Sequence, residues 1–177
     1  MRYRRAHVAG GTYFFTVNLA ERTRTVLIDH VDQLRVAMRE VQVRHPFYID
    51  AIVVLPDHLH AMWTLPEGDD NYPTRWALIK AGFSRRLPHG EKRSASRAAR
   101  GERGIWQRRY WEHLIRDERD YERHVDYIHY NPVKHGYANR AADWAYSSIH
   151  RYIARGMLDR NWGGDVLFEY GHSFGER

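Results

Sequence analysis

The sequence predicts a single α+β domain over residues 1–177: an antiparallel sheet with helices packed mainly on one face, in a split βαβ, ferredoxin-like arrangement. Three observations predict it. The chain has 177 residues and 43% hydrophobic content, enough for one real core. Its apolar pattern switches between period 2 and period 3.6 in the order strand, helix, strand, strand, helix, strand, helix. An apolar pair of strands, FYIDAIVVLPDHLHAMWTL at residues 47–65, sits at the centre of that order.

The first strand is TYFFTVNL, residues 12–19, aromatic and β-branched, set off by the turn signal Gly10-Gly11. Val31, Leu34, Met38 and Val41 recur at helical spacing, so residues 32–44 form an amphipathic helix ended by His45-Pro46. The central strands follow, joined at Leu55-Pro56-Asp57. A polar loop, residues 66–73, leads to a helix capped by Thr74 and reaching residue 87, with Trp76, Ile79 and Phe83 as its apolar stripe. Residues 88–104 read as a flexible basic loop, and IWQRRYWEHLIR, residues 105–116, as a fourth strand. Asp117 opens a helix with a buried stripe of Tyr121, Val125 and Ile128. Asp120, His124, Tyr127 and Asn131 share another of its faces, and Pro132 places Asn131 in its last turn. Asp143 is expected to cap a short helix over residues 144–155, and a Gly-rich tail runs from about residue 156.

The net charge is +6, but residues 84–109 alone carry nine Lys/Arg against two Glu, a local +7. Such a concentration suits a phosphate-backbone contact surface; a merely solvated loop is the alternative. Arg85, Arg86, Arg108 and Arg109 are the DNA-contact candidates there, with Arg2, Arg4 and Arg5 as an N-terminal basic arm. The 6 Trp, 12 Tyr and 6 Phe suit stacking of single-stranded bases. No cysteine is present, which removes disulfides and thiolate metal sites. No apolar run reaches membrane length and the N-terminus lacks a signal-like segment, so a cytoplasmic, nucleoid-associated location is expected.

The chemistry centres on His58-Leu59-His60. Alternate strand residues share a face, so both imidazoles point one way, while Leu59, Ala61 and Trp63 point to the core. A pair so placed can grip one metal ion. Tyr127 can then attack a metal-held phosphate, although a free tyrosine, of pKa about 10, is ionised only to about one part in a thousand at neutral pH.

The series LPDHLHAMW, IWQRRYWEH, HVDYIHYNPVKHG and DWAYSSIHRY closely resembles the REP-associated tyrosine transposases, a branch of the single-tyrosine, IS200-like transposases named HUH for His-hydrophobic-His. The resemblance runs from Gly10 to about Tyr152. It implies an HUH endonuclease core in which His58 and His60 are metal ligands, Tyr127 is the nucleophile and Asn131 a further ligand; His124 competes for that last role from the other side of Tyr127. It implies a Mg²⁺ or Mn²⁺ cofactor, the His pair suiting Mn²⁺ better. It further implies a monomer or homodimer that cleaves and rejoins single-stranded DNA at palindromic hairpins with flanking recognition sequence, through a 5′-phosphotyrosine. Two rivals are a non-catalytic hairpin-binding protein on the same scaffold and an RNA-binding module of the same topology.

Overall fold

A computed structural model describes residues 6–91 and 93–163. Arg2, Arg4 and Arg5, and the tail beyond residue 163, lie outside the described residues. Among the described residues the sheet has four strands, β1 (Thr12–Asn18), β2 (Tyr48–Val54), β3 (His58–Thr64) and β4 (Trp111–Leu114), in the order β2-β3-β1-β4 and antiparallel throughout. This is the strand order of the ferredoxin-like unit. Gly10 turns the chain into β1 with φ +68°, a conformation that side chains rarely adopt. A Cβ on Gly11 would come within 2.9 Å of the Val8 carbonyl.

The sheet is buried on both faces. After the single turn α1 (Val26–Asp29), the helices α2 (Val31–Arg44) and α3 (Tyr72–Arg86) cover one face. There Tyr13, Phe15 and Val17 of β1 and Leu59, Ala61 and Trp63 of β3 meet the stripes of both helices. Trp63 stacks on Trp76 of α3 at 4.2 Å and touches Phe47 at 4.2 Å. The opposite face carries α5 (Glu118–Lys134), which packs Val125, Tyr127 and Ile128 on Phe14, Ala51, Val53 and Met62. His58 and His60 therefore do not stand on an open sheet face: they are 1% and 0% exposed. The expectation that they lie outside any core is corrected, because α5 makes a second core on their side.

Several boundaries differ from the sequence expectation. α3 starts at Tyr72, with Asn71 as its cap: the Asn71 side-chain oxygen accepts from the Thr74 backbone N–H at 3.2 Å. Pro73 lies in the first turn, where no N–H is needed. The fourth strand is only four residues long. Residues 88–104 are not simply a loop. They contain a turn of helix, α4 (Ala95–Ala98), and Arg103 closes the segment by donating to Glu91 at 2.6 and 2.7 Å and to the Leu87 and Pro88 carbonyls.

α5 opens at Asp117, whose carboxylate accepts from the Asp120 N–H at 2.8 Å, as its position predicts. Beyond α5, Asp143 closes a 3-10 turn, Ala141–Asp143, and α6 begins only at Ile149 (Ile149–Ala154). The intervening residues are drawn out along β2: Val54 donates to the Tyr146 carbonyl and Ser148 donates to that of Ile52. They thereby protect a sheet edge that would otherwise be open to another chain.

Trp63→Ala should cost about 3–5 kcal/mol, the range for a large aromatic removed from a packed core. Urea unfolding followed by circular dichroism would read this as a lower midpoint at unchanged slope. A loss below about 1 kcal/mol would contradict the central place given to this ring.

Candidate active site

β3 is a central strand, and its partners fix both histidines. His58 stands opposite Asn18, and His60 opposite Thr16. The Thr16 hydroxyl meets His60 Nδ1 at 2.8 Å. Asp57 Oδ1 meets His58 Nδ1 at 2.7 Å, and the other Asp57 oxygen accepts from Arg22 Nε. Arg22 also donates to the Asn18 side chain at 3.2 Å, which ties the group back to β1. Burial would push the Asp57 carboxyl up, but the hydrogen bonds from His58 and Arg22 outweigh it and bring the pKa down to about 2. Asp57 is thus a carboxylate that can only accept, so His58 carries its proton on Nδ1 and turns an Nε2 lone pair inward. That Nε2 is buried without a hydrogen-bond partner. Burial lowers the pKa of both histidines, most strongly that of His60. Both are neutral at physiological pH, the state a metal ligand requires.

Tyr127 enters this layer from α5. Its ring stands edge-on to His60 at 5.2 Å, and His60 stands edge-on to His58 at 4.9 Å. Tyr127 is 1% exposed. Lys134, the last residue of α5, donates from Nζ to Tyr127 Oη at 3.1 Å, and its ammonium lies 4.7 Å from the ring centroid. Burial lowers the Lys134 pKa. His135 caps the helix and brings its ring to 5.3 Å from His58; burial first, then His58 and Lys134, bring its pKa down to about 4. Asn131 is fully buried one turn beyond Tyr127.

The structure thus brings together His58, His60 and Tyr127. It holds His124 elsewhere. His124 Nδ1 bonds the Asp120 carbonyl at 2.7 Å, its ring stacks on His113 at 4.7 Å, and His113 Nε2 meets the Asp120 carboxylate at 2.7 Å. Phe14 stands between the groups, 4.8 Å from His124 and 5.5 Å from His60. The His124 alternative is therefore disfavoured. His113, Asp120 and His124 have the composition of a metal site. However, two rings stacked within 17° of parallel do not converge their lone pairs on one point, so the group is a hydrogen-bonded clamp between β4 and α5. Tyr130, the neighbouring tyrosine, packs against Gly163.

Of the basic candidates, Arg85, Arg108 and Arg109 are exposed, and Arg108 pairs with Glu102 at 2.9 Å. Arg86 is half-buried and pairs with Glu40 at 2.5 Å. A cleft of about 610 Å³ opens among Lys80, Arg85, Arg97, Trp106 and Arg108. The segment joins the sheet at its histidine end: Ala20 donates to the Ile105 carbonyl, and Gln107 donates to that of Asn18, the residue opposite His58.

Sequence reasoning missed Arg22, Asp57, Lys134 and His135. Asp57 carried a signal in adjoining His58. Lys134 carried a better one, since seven residues from Tyr127 is two helical turns and the same face. Arg22 carried none, because only the fold brings it to Asp57.

No family model matches the chain. It is 47% identical over 164 residues to a putative REP-associated tyrosine transposase of Haemophilus influenzae, covering 92% of this chain and 93% of the relative. It is likewise 47% identical over 164 residues to the REP-associated tyrosine transposase of Escherichia coli, covering 93% and 92%. A solved structure of a REP-associated tyrosine transposase bound to a REP hairpin superposes with a TM-score of 0.84 at 46% identity, over 100% of this chain and 98% of that one. Among the described residues, no helix is long and apolar enough to cross a membrane. Near-complete coverage at this identity, on the same fold, places the chain in a family: it belongs to the REP-associated tyrosine transposases.

Proposed function

We propose that this transposase cleaves and rejoins single-stranded DNA at repetitive palindromic hairpins through a 5′-phosphotyrosine on Tyr127. The observation that carries the reading is the contact of the Tyr127 ring with His60 in a buried layer shared with His58. A solved relative at 46% identity is bound to a REP hairpin, which supports hairpin DNA as the partner here. In the reaction the Tyr127 Oη–P bond forms and the P–O3′ bond breaks, and the departing O3′ ends with the proton that Oη has lost. The link conserves the phosphodiester energy, so rejoining needs no nucleotide cofactor.

The donor set fits a divalent ion. Two neutral imidazoles have Nδ1 engaged, and the buried Nε2 of His58 lacks a hydrogen-bond partner. His58, His60 and the Asn131 amide would hold Mg²⁺ or Mn²⁺, imidazole favouring Mn²⁺. When bound, the ion supplies Lewis-acid polarisation of the scissile phosphate. Asp57 and Arg22 keep His58 in the ligating tautomer, and Thr16 orients His60. Arg85, Arg108 and Arg109 would follow the DNA backbone towards the histidine end of the sheet, and the basic arm Arg2, Arg4 and Arg5 would contact bases or backbone next to the hairpin. Because Tyr127 is 1% exposed, DNA must displace part of the cover over Oη to reach it.

Digestion of a trapped covalent complex should yield one DNA-linked peptide, joined at Tyr127. Tyr127→Phe should bind hairpins and fail to cleave them; a link at Tyr130 would overturn the assignment. Asp57→Ala should weaken Mn²⁺ binding, followed by electron paramagnetic resonance, by about 10–100-fold. His58→Ala should abolish that binding, and cleavage should stop in excess EDTA. Hairpin affinity should fall steeply with salt, and replacing Arg85, Arg108 and Arg109 by Gln should flatten the slope by up to about 2, at about 0.7 per phosphate contact. An unchanged slope would place the backbone elsewhere.

A further inference from the structure

We propose that Lys134 is a catalytic residue of this transposase, stabilising the charge that develops on Tyr127 Oη in both cleavage and rejoining. The inference rests on Tyr127 as the nucleophile.

Lys134 continues the series Asp120, His124, Tyr127, Asn131 at helical spacing, two turns beyond Tyr127, at the point where that face of α5 emerges from the core and the residue is itself exposed. A lysine in the last turn of a helix ordinarily extends into water, where it complements the helix dipole at little cost. This one, although exposed as a residue, folds back so that its Nζ donates to the phenol oxygen at 3.1 Å. A contact from an ammonium to an oxygen is strongest when the oxygen is negative.

The direction of the hydrogen bond makes the arrangement useful. An ammonium has no acceptor, so Lys134 donates and Oη accepts. The phenol's own hydrogen must therefore point away from Lys134. When that hydrogen leaves, the charge appears on an oxygen already facing a cation, with no reorganisation. A bond that is neutral–charged before reaction and charged–charged during it is stronger in the transition state than in the resting enzyme, which is the condition for catalysis.

The same contact serves the return step. When the 3′-hydroxyl attacks the phosphotyrosine, the new O3′–P bond forms, the Oη–P bond breaks and Oη departs with its electron pair. The 3′-hydroxyl proton finally returns to the phenolate. By microscopic reversibility, a group that stabilises Oη as a nucleophile stabilises it as a leaving group. The competing account is that Lys134 only packs on the aromatic ring, 4.7 Å from its centroid, and holds the helix end. That account predicts lost stability or binding without a specific loss of rate.

The test uses the full chain, with a labelled hairpin substrate, in single-turnover cleavage and in rejoining from the isolated covalent complex. Lys134→Met, which keeps the stem and removes the charge, should slow both steps by a common factor of about 10²–10³ while hairpin affinity and melting temperature hold. Lys134→Arg should recover part of the rate. If the Met variant melts early, Lys134→Gln takes its place. A substrate with sulfur in place of the bridging O3′ leaves more readily, and it should not rescue the Met variant in cleavage. Rescue would assign Lys134 to the leaving oxygen and overturn the proposal. So would wild-type rates in Lys134→Met, or a loss confined to stability or binding. If Tyr127→Phe still forms the adduct, the nucleophile assignment fails instead, and the two failures are read from different variants.

Discussion

The structure depends on the alternation of side chains along one central strand. β3 is paired on both sides, by β2 and β1, and covered on both faces. Leu59, Ala61 and Trp63 go to one core, while His58, His60 and Met62 go to the other side. A one-residue slip would exchange the two sets. The aromatic stack of Trp63 on Trp76 and Phe47 therefore fixes where the imidazoles stand, although it touches neither of them. Because the histidine layer is buried, each Nδ1 needs a partner, and Asp57 and Thr16 provide them.

The same constraint shapes α5. Its polar residues Asp120, His124, Tyr127 and Asn131 are all buried, an arrangement tolerable only when such groups bond to one another or to backbone. Asp120 receives bonds from His113 and from the Arg116 backbone, while His124 bonds the carbonyl of its own first turn. The clamp joins β4, a strand of four residues, to the helix that bears the tyrosine. It gives a short edge strand a strong anchor, and it holds the helix in rotation about its axis, on which the position of Oη depends.

Much of this was legible in the sequence where the signal is local. Four strands and α2 follow from apolar period, and the start of α5 from the capping carboxylate of Asp117. That His58 and His60 share one strand face follows from their spacing, and the structure sets the Tyr127 ring beside them. What was not legible is tertiary. Thr74 looked like a cap because Pro73 looked like a loop, yet proline fits the first turn of a helix, and Asn71 takes the cap. Residues 144–148 have helical spacing, yet the open edge of β2 recruits them. The charge of residues 84–109 reads as uniformly available, yet Arg86 and Arg103 are used internally, and nothing local distinguishes them from Arg85 or Arg109. The burial of the histidines was missed because a second helix layer leaves no mark on the strand itself, beyond Met62 standing where a surface residue was expected.

A tyrosine sealed between strand and helix has a consequence for selectivity. If Tyr127 is the nucleophile, collision with bulk single strands presents no phosphate to its oxygen until part of the cover over a residue 1% exposed is displaced. Such displacement would cost free energy, and the affinity of every strand would be reduced by that cost. Only a substrate that makes more contacts with the open form than with the closed one recovers the difference, so discrimination falls on opening as much as on docking. Such an arrangement would let a nicking enzyme coexist with exposed single strands and act only where a folded target supplies the missing free energy.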